Sequence, residues 1–243
     1  MNTRIAPGPV VDPDRLQPST RLRHSLRIPE PPTVSRFVRV ADPHTKHFVF
    51  PLPNTWWSRG HEYAWAYQFA EPDHVVLDAA CGISHPLKFA LAERCRAAFA
   101  CDVDPRIEDP VAIVADIVAD FGAAAAGSLA PRQLQRLART HCSITATPYR
   151  DRVFDRVFCI SVLEHLPPVD RAAALAEFAR IVRDDGQVVL TMDHPLVDLD
   201  EFVAMVAAAG LRFVGEVRLD VPSDALWSDA HRLHCFRALL QRA

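Results

Sequence analysis

Six side chains able to move protons or hold polar groups follow apolar runs of this chain: Asp78, Asp102, Glu164, His165, Asp193 and His194. Val75-Val-Leu77 ends in Asp78, and the run 97–101 ends in Asp102. The run 154–160 leads into Ser161, Glu164 and His165, and the run 187–191 leads into Asp193 and His194. A carboxylate accepts several hydrogen bonds and pairs with cations. An imidazole takes a proton from a hydroxyl near neutral pH. Gly82 stands four residues after Asp78, and Asp102 stands 20 residues after Gly82. An acid about 20 residues beyond a glycine turn suits a ribose hydroxyl.

These residues need strands that end side by side. Short apolar runs bounded by turn residues predict strands buried on both faces. After Asp78 the small residues Ala79, Ala80, Cys81 and Gly82 predict a tight turn, and 87–95 predicts a helix with Ser84 as its cap and Pro86 in its first turn. Strand, turn and helix form the ligand-binding corner of a doubly wound α/β sheet.

Leu77-Asp-Ala-Ala-Cys-Gly82 resembles the first motif of class I S-adenosylmethionine-dependent methyltransferases, Asp-x-Gly-x-Gly-x-Gly, with Ala80 and Ser84 at two glycine positions. Asp102-Val-Asp-Pro105 resembles the family's Asp-hydrophobic-Ser/Asp-Pro. Phe154-Asp-Arg-Val-Phe-Cys-Ile-Ser-Val-Leu-Glu-His165 closely resembles its fourth strand and exit, Phe-Asp-x-Val-x-x-x-x-Val-Leu-Glu-His. The resemblance implies a seven-stranded, mostly parallel sheet and S-adenosyl-L-methionine as methyl donor. It also implies that Asp78, Ala80, Gly82, Asp102, Val103, Ser143, Ile144 and Ser161 border the cofactor, with Asp102 on the ribose. The family commonly has Asp at the position of Ser143, facing the adenine amino group; serine accepts more weakly there. The third strand and its exit are expected over 141–149, and a terminal strand–strand hairpin over 211–219 and 233–240. Helices are expected over 171–182 and 199–209, with a turn at Asp184-Asp-Gly186.

With 243 residues the chain can bury one full α/β core, and 49% apolar content is ordinary for a globular protein. A net charge of −3 excludes a general field for nucleic acid. No apolar run has the length of a membrane span, and the first residues lack a signal-peptide pattern. The six cysteines make no C-x-x-C pair, so buried free thiols and a cytoplasmic location are expected.

Residues 1–53 read as a Pro-rich extension, holding ten of the 20 prolines and a charge of +4 against −7 for the remainder. Residues 1–30 are expected to be extended or partly disordered, and 33–53 to form a flap or short strands able to act as a lid. The domain proper then runs over 54–243. It opens with a helix capped at Asn54 or Thr55 that carries Trp56, Trp57, Arg59 and Tyr63. By the resemblance this region closes on the methionine end of the cofactor. Arg59 suits its carboxylate as a two-pronged donor, and the tryptophans and Tyr63 suit a flat or sugar-like substrate. Residues 106–140 are an insertion: a helix over 111–121, a small-residue hinge over 123–127, and a basic helix over 131–140. It shapes the pocket or builds a homodimer face.

The expected activity is methylation of a small-molecule hydroxyl, a saccharide among the candidates. His165 or His194 serves as base, with Asp193 or Glu164 to orient it; Glu164 also faces the substrate. Trp227, in the loop 221–229, is a further candidate for the pocket wall. The alternatives are an N-methyltransferase, an enzyme cyclising the cofactor, and a non-catalytic cofactor-binding relative. A divalent cation on Glu164, Asp193 and His194 is the less favoured reading, because no recognised ligand spacing supports it.

Overall fold

The computed structural model describes residues 31–243, so the expectation for 1–30 lies outside the described residues. Five parallel strands carry the molecule: β4 (Val75–Ala79), β5 (Ala97–Asp102), β6 (Leu137–His141), β7 (Phe154–Ile160) and β8 (Val182–His194). They lie in the order β8-β7-β4-β5-β6, so the chain starts at the centre, builds outward to β6, and returns on the other side of β4. The order reverses between β4 and β7, and in open α/β sheets that switch point is where ligands bind.

The remaining strands of this sheet are antiparallel neighbours. β11 (Leu233–Arg242) pairs with β8, and β1 (Arg36–Phe37), β9 (Leu211–Phe213) and β10 (Trp227–Ser228) pair with β11. Seven strands form the continuous path and nine belong to the sheet, two more than expected; the additions are the short β1 and β10. The expected strand over 211–219 ends at Phe213, the last residue in register with β11. A separate hairpin joins β2 (His47–Phe48) to β3 (Phe50–Pro51).

Alternate residues of the central strands enter two cores. Leu77, Val157, Val188, Leu190 and Phe236 meet Leu175 and Phe178 of α6 (Pro168–Ile181) and Phe202 of α7 (Leu199–Ala208). Val76, Phe158, Val189 and Leu239 meet Tyr63 and Trp65 of α1 (Arg59–Ala66), Leu87 and Leu91 of α2 (Leu87–Arg94), and Ile113 and Ile117 of α3 (Pro110–Phe121). Helices thus cover both faces, as near-continuous apolar strands require.

Several boundaries differ from expectation. The basic segment 131–140 is helical only as α5 (Pro131–Arg136); Leu137–His141 is the third strand, pulled into the sheet by pairing with Ala98 to Asp102. The stretch expected as a hinge is the short helix α4 (Ala123–Ser128), in keeping with the high helix propensity of alanine. Asp184-Asp-Gly186 is not a separate turn but an irregularity inside β8, where the register slips between Phe154 and Arg156. A Cβ at Gly186 would meet Phe154 O at 2.9 Å, so only glycine fits there. α1 starts at Arg59 rather than near Thr55, and Ser58 precedes it without a side-chain cap. Ser84 does not cap α2; its hydroxyl donates instead to Asp120 Oδ2 at 2.5 Å, tying the insertion to the corner. No helix among the described residues is long and apolar enough to cross a membrane.

Candidate active site

The tips of β4, β5 and β7 meet at the switch point. A small cavity of about 70 Å³ there is lined by Asp78 of β4 and by Ala80, Cys81 and Gly82 after it, by Ile160 of β7 and by Ser161 and Val162 after it, by Arg59, Tyr63 and Leu87 from the helices, and by His85 just before α2. The backbone after β4 turns through left-handed conformations at Ala80 (φ 51°) and Gly82 (φ 62°). A Cβ at Gly82 would stand 2.9 Å from the His85 ring. Asp102 holds this turn: its Oδ2 accepts from Gly82 N at 2.8 Å and its Oδ1 from Asp104 N at 3.0 Å. Each oxygen keeps a further acceptor site. Lys88 is fully buried and its ammonium donates to the carbonyls of Gly82 (2.6 Å) and His85 (2.7 Å). Neither lysine contact is visible in the sequence, since an apolar neighbourhood gives no signal for a lysine buried in helix α2.

Asp78 is 3% exposed and its Oδ2 has no hydrogen-bond partner. Burial pushes its pKa up to about 7, against the opposing charge of Lys88. On the helix side, Tyr63 Oη lies 3.1 Å from His85 Nδ1. Burial, then the charges of Arg59 and Lys88, hold His85 neutral, well below its usual range, and burial raises the Tyr63 phenol. The phenol therefore stays protonated and can donate to Nδ1. Trp56 covers the other side of His85 with ring centroids 4.4 Å apart.

Glu62 ties three elements together. It is fully buried, and its Oε2 accepts from Arg59 Nη1 at 2.5 Å, while Oε1 accepts from Ser161 Oγ at 2.6 Å and Cys235 Sγ at 3.2 Å. Burial alone would raise the Glu62 pKa, but these donors bring it below the usual carboxylate range. Burial likewise opposes charge on Arg59, yet Glu62 keeps the guanidinium above its ordinary value. Arg59 is thus fixed as a cation in the cavity wall.

Beyond β7 and β8 stand groups without such partners. Both carboxylate oxygens of Glu164 are buried and unpartnered; burial first, then Asp193 and Glu62, push its pKa up to about 8. Asp193 Oδ1 and His194 Nδ1 are also unpartnered, and burial followed by repulsion from Glu62 pushes Asp193 up to about 6. The expected support of His194 by Asp193 is not formed: no hydrogen bond joins them, because neighbours on a strand point to opposite faces. Asp193 is opposite Cys235, while His194 packs edge-on against Phe37 at 5.3 Å.

Of the residues singled out in the sequence, Arg59, Tyr63, Asp78, Ala80, Gly82 and Ser161 line one cavity. Asp102 braces it. Val103 is 64% exposed, Ile144 lies in the core, and Ser143 bonds Thr145 Oγ1 at 2.8 Å. His165 is exposed on a 3₁₀ turn, and Trp56 and Trp57 are half-buried. Cys81, His85, Leu87, Ile160 and Val162 complete the lining without having been singled out. Ile160 and Val162 flank a named residue, but the pairing of His85 with Tyr63 spans 22 positions and is set by packing. Glu164, Asp193 and His194, the less favoured cation set, are not gathered within ligand distance; among the described residues, Glu62, Asp193 and Cys235 are the group with ligand atoms within 4.8 Å of one another. Arg59 already neutralises Glu62 in that group.

The residues present fit S-adenosylmethionine. An unpartnered buried carboxylate (Asp78) stands across from a fixed guanidinium (Arg59), the arrangement an amino acid zwitterion requires. The glycine turn leaves backbone room at Gly82, and Asp102 keeps acceptor sites for a diol.

Residues 77–190 match a family model described as a methyltransferase domain. The chain has no match among curated proteins. Among solved structures it is similar to the [4+2]-cyclase SpnF, with 15% identity, a TM-score of 0.55, and 82% of this chain and 89% of that one covered. It is also similar to a TehB-like SAM-dependent methyltransferase from Corynebacterium glutamicum, with 16% identity, a TM-score of 0.52, and coverage of 75% and 87%. A third is the Burkholderia thailandensis 1,6-didemethyltoxoflavin-N1-methyltransferase, with 18% identity, a TM-score of 0.50, and coverage of 77% and 80%. These likenesses show the fold. The family match over residues 77–190 and the three motifs brought to one switch point support a class I S-adenosylmethionine-dependent methyltransferase.

Proposed function

We propose that this enzyme methylates a hydroxyl of a small molecule, with saccharides the first class to test. The observation that carries the reading is the group at the ends of β7 and β8: Glu164, Asp193 and His194 each keep a buried polar atom without a partner. Such atoms cost free energy unless a ligand completes them. When bound, S-adenosylmethionine supplies a sulfonium methyl for in-line displacement. Asp78 receives its ammonium group, Arg59 its carboxylate, Asp102 its ribose and Ser143 its adenine edge. His194 takes the hydroxyl proton as the new carbon–oxygen bond forms. His165 faces solvent and has no such shelter. Trp56, the β2–β3 hairpin and α1 form the roof that excludes water; Phe50 and Trp56 both meet Phe121 of the insertion.

A small-molecule acceptor is in keeping with the Burkholderia enzyme, whose structure holds 1,6-didemethyltoxoflavin. That relative is an N-methyltransferase, and one observation favours the same here: the N–H of an amine acceptor would donate to the unpartnered Glu164, leaving the nitrogen lone pair for the methyl group. Turnover with labelled methyl donor against matched panels of hydroxyl and amine acceptors separates the readings. Methyl transfer to hydroxyls that is lost in H194A supports the first. Transfer to amines alone, indifferent to His194, overturns it.

A further inference from the structure

We infer that Trp227, His234 and His194 form a binding row for a hydroxylated ring, a sugar or cyclitol, beside the methyl-transfer site. The inference rests on the hydroxyl-methylation reading and adds the place and chemistry of the acceptor. The row is built by strand register. Trp227 of β10 is opposite His234 of β11, and His234 is opposite His194 of β8. Directly opposed residues of antiparallel strands share a face. All three side chains therefore project from one face of the sheet at the end where β8 delivers Asp193 and His194.

The rings are close. Trp227 and His234 have centroids 4.6 Å apart at 50°, and Phe37 meets both histidines edge-on, at 5.9 Å from His234 and 5.3 Å from His194. Trp227 does not serve the core. It is 42% exposed, yet its orientation is fixed: the indole N–H donates to Asp229 Oδ1 at 2.8 Å. His234 Nδ1 is held by Leu226 O at 2.9 Å, which fixes the second ring. His234 backs part of the indole, and Trp227 remains 42% exposed.

A rigid, exposed indole offers an apolar platform for the C–H face of a saturated ring. The hydroxyls at the rim of such a ring need partners, and the unpartnered His194 Nδ1 stands at the inner end of the row. The next residue, Asp193, lies beside Glu62, which bonds the cavity-lining Arg59 and Ser161. Asp193 and His194 point to opposite faces of β8, so the row and the Glu62 link reach the end of this strand from its two sides. Trp56 and Trp57, the tryptophans favoured by sequence, are half-buried, and Trp56 is engaged with His85.

Saturation-transfer NMR of the full chain with S-adenosylhomocysteine tests this, using methyl glycosides of several hexoses and myo-inositol as probes. Ring C–H signals should be saturated with wild type. W227A should weaken binding by about three- to tenfold, the range expected of one aromatic face, and W227F should restore most of it. Binding of S-adenosylhomocysteine, followed by calorimetry, should be unchanged in W227A; its loss there would mark a general structural role and overturn the row. Wild type that binds S-adenosylhomocysteine but no ring polyol overturns the row alone. Wild type that binds neither overturns the methyl-transfer reading as well.

Discussion

Asp78, His194 and His165 show how the same residue types acquire different chemistry from their surroundings. Asp78 is buried with one oxygen unpartnered, and its pKa is pushed up to about 7. An ammonium ligand favours the charged form, so binding below that pH releases a proton. Affinity for S-adenosylhomocysteine should therefore rise as the pH is taken up through about 7. Calorimetry in buffers of different ionisation enthalpy measures both the affinity and the proton. D78N should abolish the pH dependence and weaken binding by about 10- to 100-fold, the worth of a charge-assisted hydrogen bond. For catalysis, H194A should lower kcat by about 10²- to 10⁴-fold, as loss of a general base does, whereas H165A should change it by less than about threefold. Single-turnover rates at saturating methyl donor separate the two; equal losses would remove His194 from its role.

Helix α1 and the corner between β4 and α2 show how elements, rather than single residues, position the cavity. α1 is joined to β7 and β11 by one buried carboxylate, Glu62. E62Q keeps the shape but leaves Arg59 without its counter-charge. The variant should lose about 3–5 kcal/mol of stability, the cost of breaking a buried pair, read by urea unfolding. It should also weaken S-adenosylhomocysteine more than methylthioadenosine, which lacks the amino acid tail; equal weakening would mean that Glu62 does not position Arg59. At the corner, Lys88 satisfies two buried carbonyls. K88M should cost about 2–6 kcal/mol, since each unsatisfied group costs about 1–3 kcal/mol.

For the molecule taken together, the carboxyls with raised pKa set a direction of pH dependence. Asp78 and Glu164 bind their protons more tightly when folded than when unfolded. Their contribution to stability is full below the unfolded values, 3.8 and 4.5, and is lost as pH rises toward about 7 and about 8. Denaturant melts should thus show wild type losing stability from about pH 5 to about pH 8, with the slope reduced in the D78N/E164Q double variant. Groups such as Glu62, whose folded pKa is lowered, act in the opposite sense and lose their contribution as the medium is acidified. The slope difference between wild type and the double variant isolates the first set.

The sequence by itself determined the doubly wound sheet, its switch point and the turn after Asp78. Those depend on local properties: apolar runs, small turn residues, and an acid at fixed distance from a glycine. Arg59 and Tyr63 were also legible, because a helix places them four apart on one face. Tertiary structure alone decided the rest. The end of α5 at Arg136 depends on pairing with β5, and local pattern there favours helix. The Glu62 link, the Tyr63–His85 contact and the Trp227–His234–His194 row join residues far apart in the chain. Cross-strand register and packing bring such groups together, and neither leaves a periodic trace along a single chain.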